Sequence, residues 1–592
     1  MAPVYITQAQ VRRLPFWVLV ALVSVYACAG LIGRDPWKTD DAATFGAMWT
    51  LANGGWLDWL QPNVAGAPFT SEGPAFIWLG AICVKALAWL TGAAHAARLA
   101  TVLAIVLGIT WVWRATFALA RRPEAQPNNP LGTAPDPQGY GRMVADAAVL
   151  LLMATLGMVV RLHENTSEVG QWALCCLALY GMASTLHRPI KGGLLFGLAL
   201  AGSLLGQGFL PALMLLTAGT LTLMFTPRFR FAALRFVGLS LLIPSLFLSI
   251  WYLTVSASNH GGEYLARWLS ANTQQLQWAL HSVTQWKFLG TNALLFAWPL
   301  WPIALQALKA WRKRWQEVPI ALPLAFAVSA LLAQAFGSGP NDVQLMMLYP
   351  PLAILAAFGI PALRRSLVNF IDWLAAMSFT LAGVVIWIGW LAVIFGIPTK
   401  LARSAARLAP DYQGSFVWAE LIIAILVSAL WLWIILWRTQ RRPQALWRAV
   451  ALSMAGLLLV WTLATTLWMP WVNSTKTYRV VAEALAKQIP RHLVESEACI
   501  NTVGLGLAQR ASFAYFVNLN FAPIDYLGEQ PSCRWVLLQD NPQDGGDDTL
   551  PDVRNGTWKK VWEGRRASDR NERFRLYEAI ATEKRKPKFR RR

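Results

Sequence analysis

The chain has 592 residues, of which 56% are hydrophobic and only 14% charged. A soluble globular chain carries about 25% charged residues, so a string of soluble domains is excluded, as are disordered, fibrous and small disulfide-scaffold classes. The net charge of +21, from 52 Lys and Arg against 31 Asp and Glu, falls largely in short loops between apolar runs. Membrane topology explains that placement better than nucleic-acid binding does.

Apolar runs of about 18–22 residues read as membrane helices. They fall at 14–33, 74–92, 97–120, 143–160, 168–187, 192–209, 210–225, 231–256, 291–308, 319–337, 343–360, 371–396, 416–437 and 447–470. Arg12 and Arg13 precede the first run, which is too long for a signal-peptide core and shows no clear cleavage site, so it is expected to stay as a membrane helix. Basic loops carry Arg121-Arg122, Arg188 with Lys191, Arg228 with Arg230 and Arg235, Lys309 through Arg314, Arg364-Arg365, and Arg438 through Arg442. The positive-inside rule puts these in the cytoplasm. The alternate loops 34–73, 161–168, 257–290, 338–342 and 397–415 then face the other side. An external loop 34–73 and a cytoplasmic Arg121-Arg122 require an odd number of crossings, yet two apolar runs lie between them. One of the two is expected to cross incompletely, which gives about 13 transmembrane helices. The 32 Trp suit helix ends, where an apolar ring and a polar N–H meet the interface.

Character changes after Trp471. Strand-like runs open at Cys499 and Cys533, and helical stretches are expected near 478–489 and 506–517. The division is therefore a membrane domain over 1–472 and a small soluble α/β domain over 473–592, on the external side by parity. Cys499 and Cys533 each open a strand, and an oxidising compartment allows them to pair. Cys28, Cys83, Cys175 and Cys176 lie in or near apolar runs as packing residues. The basic end from Lys584 to Arg592 reads as a solvated tail, with anionic-lipid binding as the sharper alternative.

Two acidic clusters carry the chemistry. The first loop holds the adjacent carboxylates Asp40 and Asp41, with Glu72 near its end. Like charges so close raise one another's pKa unless a cation or donor compensates, which suits a general base or a metal ligand. The plainer reading is a helix start at Ala42, capped by Thr39, Asp40 or Asp41. The second cluster is Arg161-Leu-His-Glu-Asn-Thr-Ser-Glu, with His163, Glu164 and Glu168 at a membrane boundary. Glu164 and Glu168 share a face if the helix begins early; Thr166 or Ser167 as a cap is again the plainer reading. Both clusters face one side by parity, so they can converge on one external site. A hard cation held by carboxylates is chemically allowed there.

These segments resemble the GT-C glycosyltransferases, in the branch of the lipid A aminoarabinose transferases and protein O-mannosyltransferases. Thr39-Asp-Asp-Ala is similar to the Pro-Asp-Glu-Ala motif that follows the first span. Glu72-Gly-Pro-Ala-Phe-Ile-Trp-Leu resembles the Lys-Pro-Pro-x-Tyr-x-Trp-Leu motif opening the next run. The 161–168 stretch resembles Arg-x-His-Glu-x-x-Thr-Asp, with Glu168 in the Asp place. Met347-Leu-Tyr-Pro-Pro-Leu-Ala and Asn473-Ser-Thr-Lys-Thr-Tyr-Arg match later motifs loosely. The family's Lys is replaced near Glu72, and a later Lys and Tyr fall near Pro340 and Gln344, which argues against aminoarabinose transfer to lipid A itself.

The resemblance implies an inverting transfer of a sugar from a polyprenyl-phosphate donor to a lipid, glycan or protein hydroxyl or phosphate. In that reading Asp40 is the base, Asp41 supports it, and Glu168 with His163 and Glu164 orients the acceptor. Asp41, Glu164 and Glu168 are the residues for a divalent metal ion (Mg, Mn or Zn). Departure of the phosphate needs cationic neutralisation, for which Arg161, Arg267 and Lys287 are the choices beside their reading as interface anchors; Glu72 joins the substrate-binding set. The implied location is a bacterial inner membrane with a periplasmic C-terminal domain. The rival function is a secondary transporter, since charges within spans mark transport routes. Most acids here lie in loops, and no inverted repeat or paired broken helices are visible.

Overall fold

The computed structural model describes residues 6, 11, 13–127, 135–229, 233–276, 283–336, 344–410, 412, 414–440, 448–489, 499–522, 533–542, 558–569 and 571–580. The basic stretch 584–592 and Pro340 lie outside them. Seven described helices are long and apolar enough to cross a membrane: Ala93–Ala120, Pro189–Gly206, Ala233–Ser256, Gln344–Ala362, Arg365–Phe395, Trp418–Arg438 and Val450–Leu467. Two pairs, Pro137–Met153 with Leu156–His163 and Val283–Phe296 with Leu300–Ala310, are bent by 61° and 89° and bring the number to nine if each is one span. Four further apolar helices are shorter: Phe16–Cys28, Ala75–Thr91, Phe209–Phe225 and Val318–Gln334. With each bent pair counted once and the four shorter helices included, the described residues hold 13 apolar helical segments, of which seven to nine have the length and composition of a full span. An apolar run does not show where its backbone breaks. The run 143–160, for example, ends its helix at Met153 and turns sharply before Leu156.

The disputed stretch 74–120 forms helices Ala75–Thr91 and Ala93–Ala120, of 17 and 28 residues, which meet at Gly92 with φ +82°. Only glycine adopts that hinge without a Cβ penalty. The first helix is about 25 Å long at 1.5 Å per residue, and only the second has the length of a full apolar span.

The first loop folds against the soluble domain. It contains the helix Asp40–Asn53, the short helix Trp56–Leu60, and a hairpin of β1 (Asn63–Val64) and β2 (Ala67–Pro68). The C-terminal domain has helices Arg479–Ala486 and Leu507–Val517 and a sheet of β3 (Ile500–Val503), β4 (Trp535–Asp540), β5 (Trp558–Gly564) and β6 (Arg573–Ala579). Strand order is β3-β4-β6-β5, with β3 and β4 parallel and the other pairs antiparallel. Both strands and both helices anticipated from the sequence form near their expected places, and Cys499 and Cys533 are joined by a disulfide.

Helix Leu507–Val517 packs on helix Asp40–Asn53. A Cβ on Gly46 would lie 2.3 Å from that of Ala511, and Phe45 meets Tyr515 edge-on at 4.8 Å. Arg510, 1% exposed, donates to Ala65 O at 3.0 Å and Thr502 Oγ1 at 2.9 Å. Arg479 forks onto Asp35 at 2.9 and 2.5 Å. The soluble domain is thereby fixed to the loop that carries the acidic residues.

Candidate active site

Asp40 and Asp41 are adjacent, but their side chains meet different surroundings. Helix Asp40–Asn53 begins at Asp40, so consecutive side chains diverge by about 100° around its axis. Asp40 is exposed and lines a cleft of about 290 Å³ with Thr44, Phe69, Ser71, Glu72 and Gln509. Thr39 stands at the cap position but makes no side-chain cap bond, and its φ of 71° is unusual for a β-branched residue. Strain of this kind tends to sit where surroundings impose a functional geometry.

Asp41 is 3% exposed. Its Oδ2 accepts the Trp37 N–H at 2.7 Å and its Oδ1 the Asn165 N–H at 2.7 Å. The guanidinium groups of Arg34 and Arg98 lie 3.6 and 3.5 Å away. Burial pushes this carboxyl up, but Arg34, Arg98 and the two amides outweigh it and hold Asp41 below its ordinary value. Arg34, 2% exposed, also donates to His163 O at 2.9 Å and stacks 3.6 Å over Trp37. Arg98 reaches the carbonyls of Arg34 and Asp35. Asp41 is the knot that ties the first loop to the 161–168 segment.

Glu72 approaches from the other end of the loop. The next residue, Gly73, donates to Gly206 O at 2.7 Å, and a Cβ there would lie 2.2 Å from Leu205 O. The resembling motif carries lysine near this place; here the close backbone contact leaves no room for a side chain at Gly73. Burial first, then Glu168 and Asp40, pushes the Glu72 carboxyl up to about 8. Ser167 and Gln207 act on it in the opposite sense. Glu72 Oε2, Ser167 Oγ and Gln207 Nε2 are buried close together, and among the described residues none of them reaches full hydrogen-bond geometry. Glu168 stands in the first turn of helix Ser167–Thr185, whose cap Thr166 makes no side-chain cap bond. One of its oxygens, Oε2, is likewise buried and unpartnered. The structure therefore brings Asp40, Glu72 and Glu168 into one electrostatically linked acidic group from three separate segments.

The other expected residues divide. Glu164 pairs with Arg161 at 3.2 Å; burial raises its carboxyl although Arg161 and Arg34 oppose this. His163 is fully buried, with Nδ1 2.7 Å from Val159 O and Nε2 2.6 Å from Tyr26 O. Both ring nitrogens are engaged by backbone, so it clamps the segment and leaves no nitrogen for an acceptor. Arg267 pairs with Glu263 at 2.5 Å on an exposed helix face, and Lys287 is exposed on helix Val283–Phe296. Neither lines the cleft. Among the described residues no three His, Cys, Asp or Glu side chains form a group able to hold a metal. The expected set of Asp41, Glu164 and Glu168 does not fit an ion, because Asp41 is neutralised by two arginines and Glu164 by Arg161.

Sequence reasoning missed Lys476, in the Asn473 motif. Its ammonium lies 5.0 Å over Trp37, and burial, with Arg34, Arg161 and Lys38 nearby, lowers its pKa against the pull of Glu164. Asn473 holds this corner to the first loop through Trp37 Nε1 at 2.8 Å and Gly33 O at 2.8 Å. The cationic group of Arg161, Lys38 and Lys476 thus adjoins Glu164. Arg34 and Arg98 were also missed. Arg98 is a lone charge in an apolar run, which was the available signal.

No family model matches the chain, and no curated protein sequence matches it. Among solved structures, ArnT from Cupriavidus metallidurans bound to undecaprenyl phosphate superimposes with a TM-score of 0.65 over 96% of this chain and 98% of that one, at 15% identity. The chain shares the fold of this GT-C glycosyltransferase. ArnT from the same organism in the apo state gives a TM-score of 0.64 over 95% and 97% of the two chains, also at 15% identity. The archaeal oligosaccharyltransferase AglB from Archaeoglobus fulgidus, in complex with an inhibitory peptide and a dolichol-phosphate, is more distant. It covers 97% of this chain and 75% of its own at TM-score 0.41 and 10% identity. The likeness to ArnT extends over the soluble domain as well as the membrane helices.

Proposed function

We propose that this protein is an inverting glycosyltransferase that takes a sugar from a polyprenyl-phosphate donor and places it on a hydroxyl or phosphate of a lipid, glycan or protein. The observation that carries the reading is a cleft lined by Asp40 and Glu72, with Glu168 electrostatically linked to both and, through Glu164, to the neighbourhood of Arg161 and Lys476. The ArnT fold that it shares was solved with undecaprenyl phosphate bound. We place the cleft and the soluble domain in the periplasm of a bacterial inner membrane, where a lipid-borne sugar replaces the absent nucleotide sugars.

Asp40 is exposed and forms no ion pair among the described residues, and it accepts the proton of the attacking hydroxyl. The hydroxyl oxygen forms the new bond to the anomeric carbon, and the carbon–oxygen bond to the donor phosphate breaks with its electron pair on the phosphate. Lys476 and Arg161 offset that charge. Glu72, protonated at neutral pH, can approach the anionic donor without repelling it and offers an O–H. Glu168 orients the acceptor.

Proteoliposomes test the class of function. With a polyprenyl-phosphate sugar supplied, a transferase releases polyprenyl phosphate in step with a glycosylated product. Solute movement across sealed vesicles without consumption of the lipid would refute the proposal and support a transporter.

A further inference from the structure

A second cavity lies far from the acidic cleft. It has a volume of about 1000 Å³ and runs between helices Phe16–Cys28, Ala93–Ala120 and Pro137–Met153. The long helix Ala93–Ala120 measures the separation. Arg98, near its start, touches Asp41, whereas Arg114 lines this cavity 16 residues further on. That is about 24 Å along the axis, so the two sites occupy opposite ends of the bundle.

The lining is sorted by polarity. Arg13, Arg114 and Arg142 stand at one end, and Leu19, Val23, Val106 and Val149 line the rest. The apolar walls extend from Leu14 to Ser24 and from Val106 to Arg114, about 12–15 Å. Among the described residues, none of the three arginines forms an ion pair. Arg114 lies 6.0 Å from the Tyr180 ring. The one acid in the lining, Asp146, is 4% exposed, accepts from Leu14 N at 3.1 Å and Trp113 Nε1 at 2.9 Å, and offsets part of the charge of Arg142 and Arg13 electrostatically. Three guanidinium groups against one engaged carboxylate leave an excess of positive charge at the mouth. Phe16 and Val20 on the outer wall are 79% and 46% exposed, so the groove meets the bilayer sideways.

A headgroup-sized cationic end joined to an apolar groove one chain wide is complementary to an amphiphile with an anionic head. Basic pockets between membrane helices recognise such lipids, at about 1 kcal/mol for each basic residue near the surface. We propose that this cavity binds an anionic phospholipid of the surrounding leaflet. Its phosphate sits among Arg13, Arg114 and Arg142, and one acyl chain lies between helices Phe16–Cys28 and Ala93–Ala120.

The test is a native mass-spectrometric titration of the full-length protein in neutral detergent, with phosphatidylglycerol, phosphatidylcholine or undecaprenyl phosphate as the probe. Phosphatidylglycerol is expected to bind selectively. The double variant R13Q/R142Q is expected to weaken that binding about 30-fold, the loss of two contacts of about 1 kcal/mol each. V20W, which narrows the groove and leaves every charge in place, is expected to weaken it as well. Melting temperature, unchanged in both variants, reports that the fold is intact. Equal binding of phosphatidylcholine, unchanged phosphatidylglycerol binding in either variant, or displacement of phosphatidylglycerol by undecaprenyl phosphate would overturn the proposal.

Discussion

Asp40 and Asp41 should respond to mutation in opposite ways. Asp41→Ala removes the acceptor for two backbone amides and the counter-charge for Arg34 and Arg98, which are 2% and 3% exposed. Removing one partner of a buried ion pair costs about 3–5 kcal/mol, and an amide left unsatisfied costs about 1–3 kcal/mol. These losses are not additive, since one carboxylate serves all four partners. We expect a destabilisation of about 3–5 kcal/mol for Asp41→Ala, and about 2–3 kcal/mol for Asp41→Asn, which keeps one acceptor. At about 2 °C per kcal/mol for a large domain, Asp41→Ala lowers the melting temperature by roughly 6–10 °C. Asp40→Asn, at an exposed position, leaves it within about 1 °C but removes the proposed base, worth about 10²–10⁴ in rate. The assay is thermal unfolding in one detergent at a fixed scan rate, because irreversible unfolding makes the midpoint rate-dependent, with donor turnover measured alongside. A wild-type melting temperature for Asp41→Ala would refute the structural role given to Asp41.

Glu72 gives a pH signature. Its carboxyl is pushed up to about 8, so a rate that needs the protonated form falls as pH rises through that value, and Glu72→Gln should flatten this alkaline limb; an unchanged limb would contradict the role. The stability sign agrees: a carboxyl raised in the folded state gives support that is complete below its unfolded pKa and is lost as pH rises through about 8. Glu72→Gln should therefore be more stable than wild type at pH 9, relative to the difference at pH 6. Gly73→Ala forces a Cβ to within 2.2 Å of Leu205 O, so it should displace Glu72 and lower turnover by tenfold or more, and wild-type turnover would show that the loop shifts freely. Cys499→Ser with Cys533→Ser opens a bridge across 34 residues, which chain entropy puts at about 3–4 kcal/mol; proteolysis should become faster in the soluble domain and not in the membrane helices.

The carboxylates of the candidate cleft were legible because they stand at helix starts or in the loops that lead into them. An acid among polar neighbours at a helix mouth stands out against apolar runs, which is how Asp40 and Glu168 were selected; Glu72 came from its place in the motif that opens the next run. What separates Asp40 from Asp41 was not legible. It depends on the helix starting at Asp40 and on Arg98, whose partner lies 57 residues away in sequence. The Lys476 cluster was hidden for the same reason, since it forms only when the Asn473 segment docks on Trp37. The strands at Ile500–Val503 and Trp535–Asp540 were readable from short apolar runs between polar stretches. The places where helices break were not, because bends at positions such as Thr155 and Pro299 lie inside continuous apolar runs.

The central claim is that Asp40 activates an acceptor against a lipid-linked sugar. Purified protein in lipid, offered a panel of polyprenyl-phosphate sugars, measures it most directly when wild type and Asp40→Asn are compared for donor turnover. The account expects wild type to consume at least one donor and Asp40→Asn, equally folded, to be slower by about 10²–10⁴. Full turnover by Asp40→Asn would contradict it.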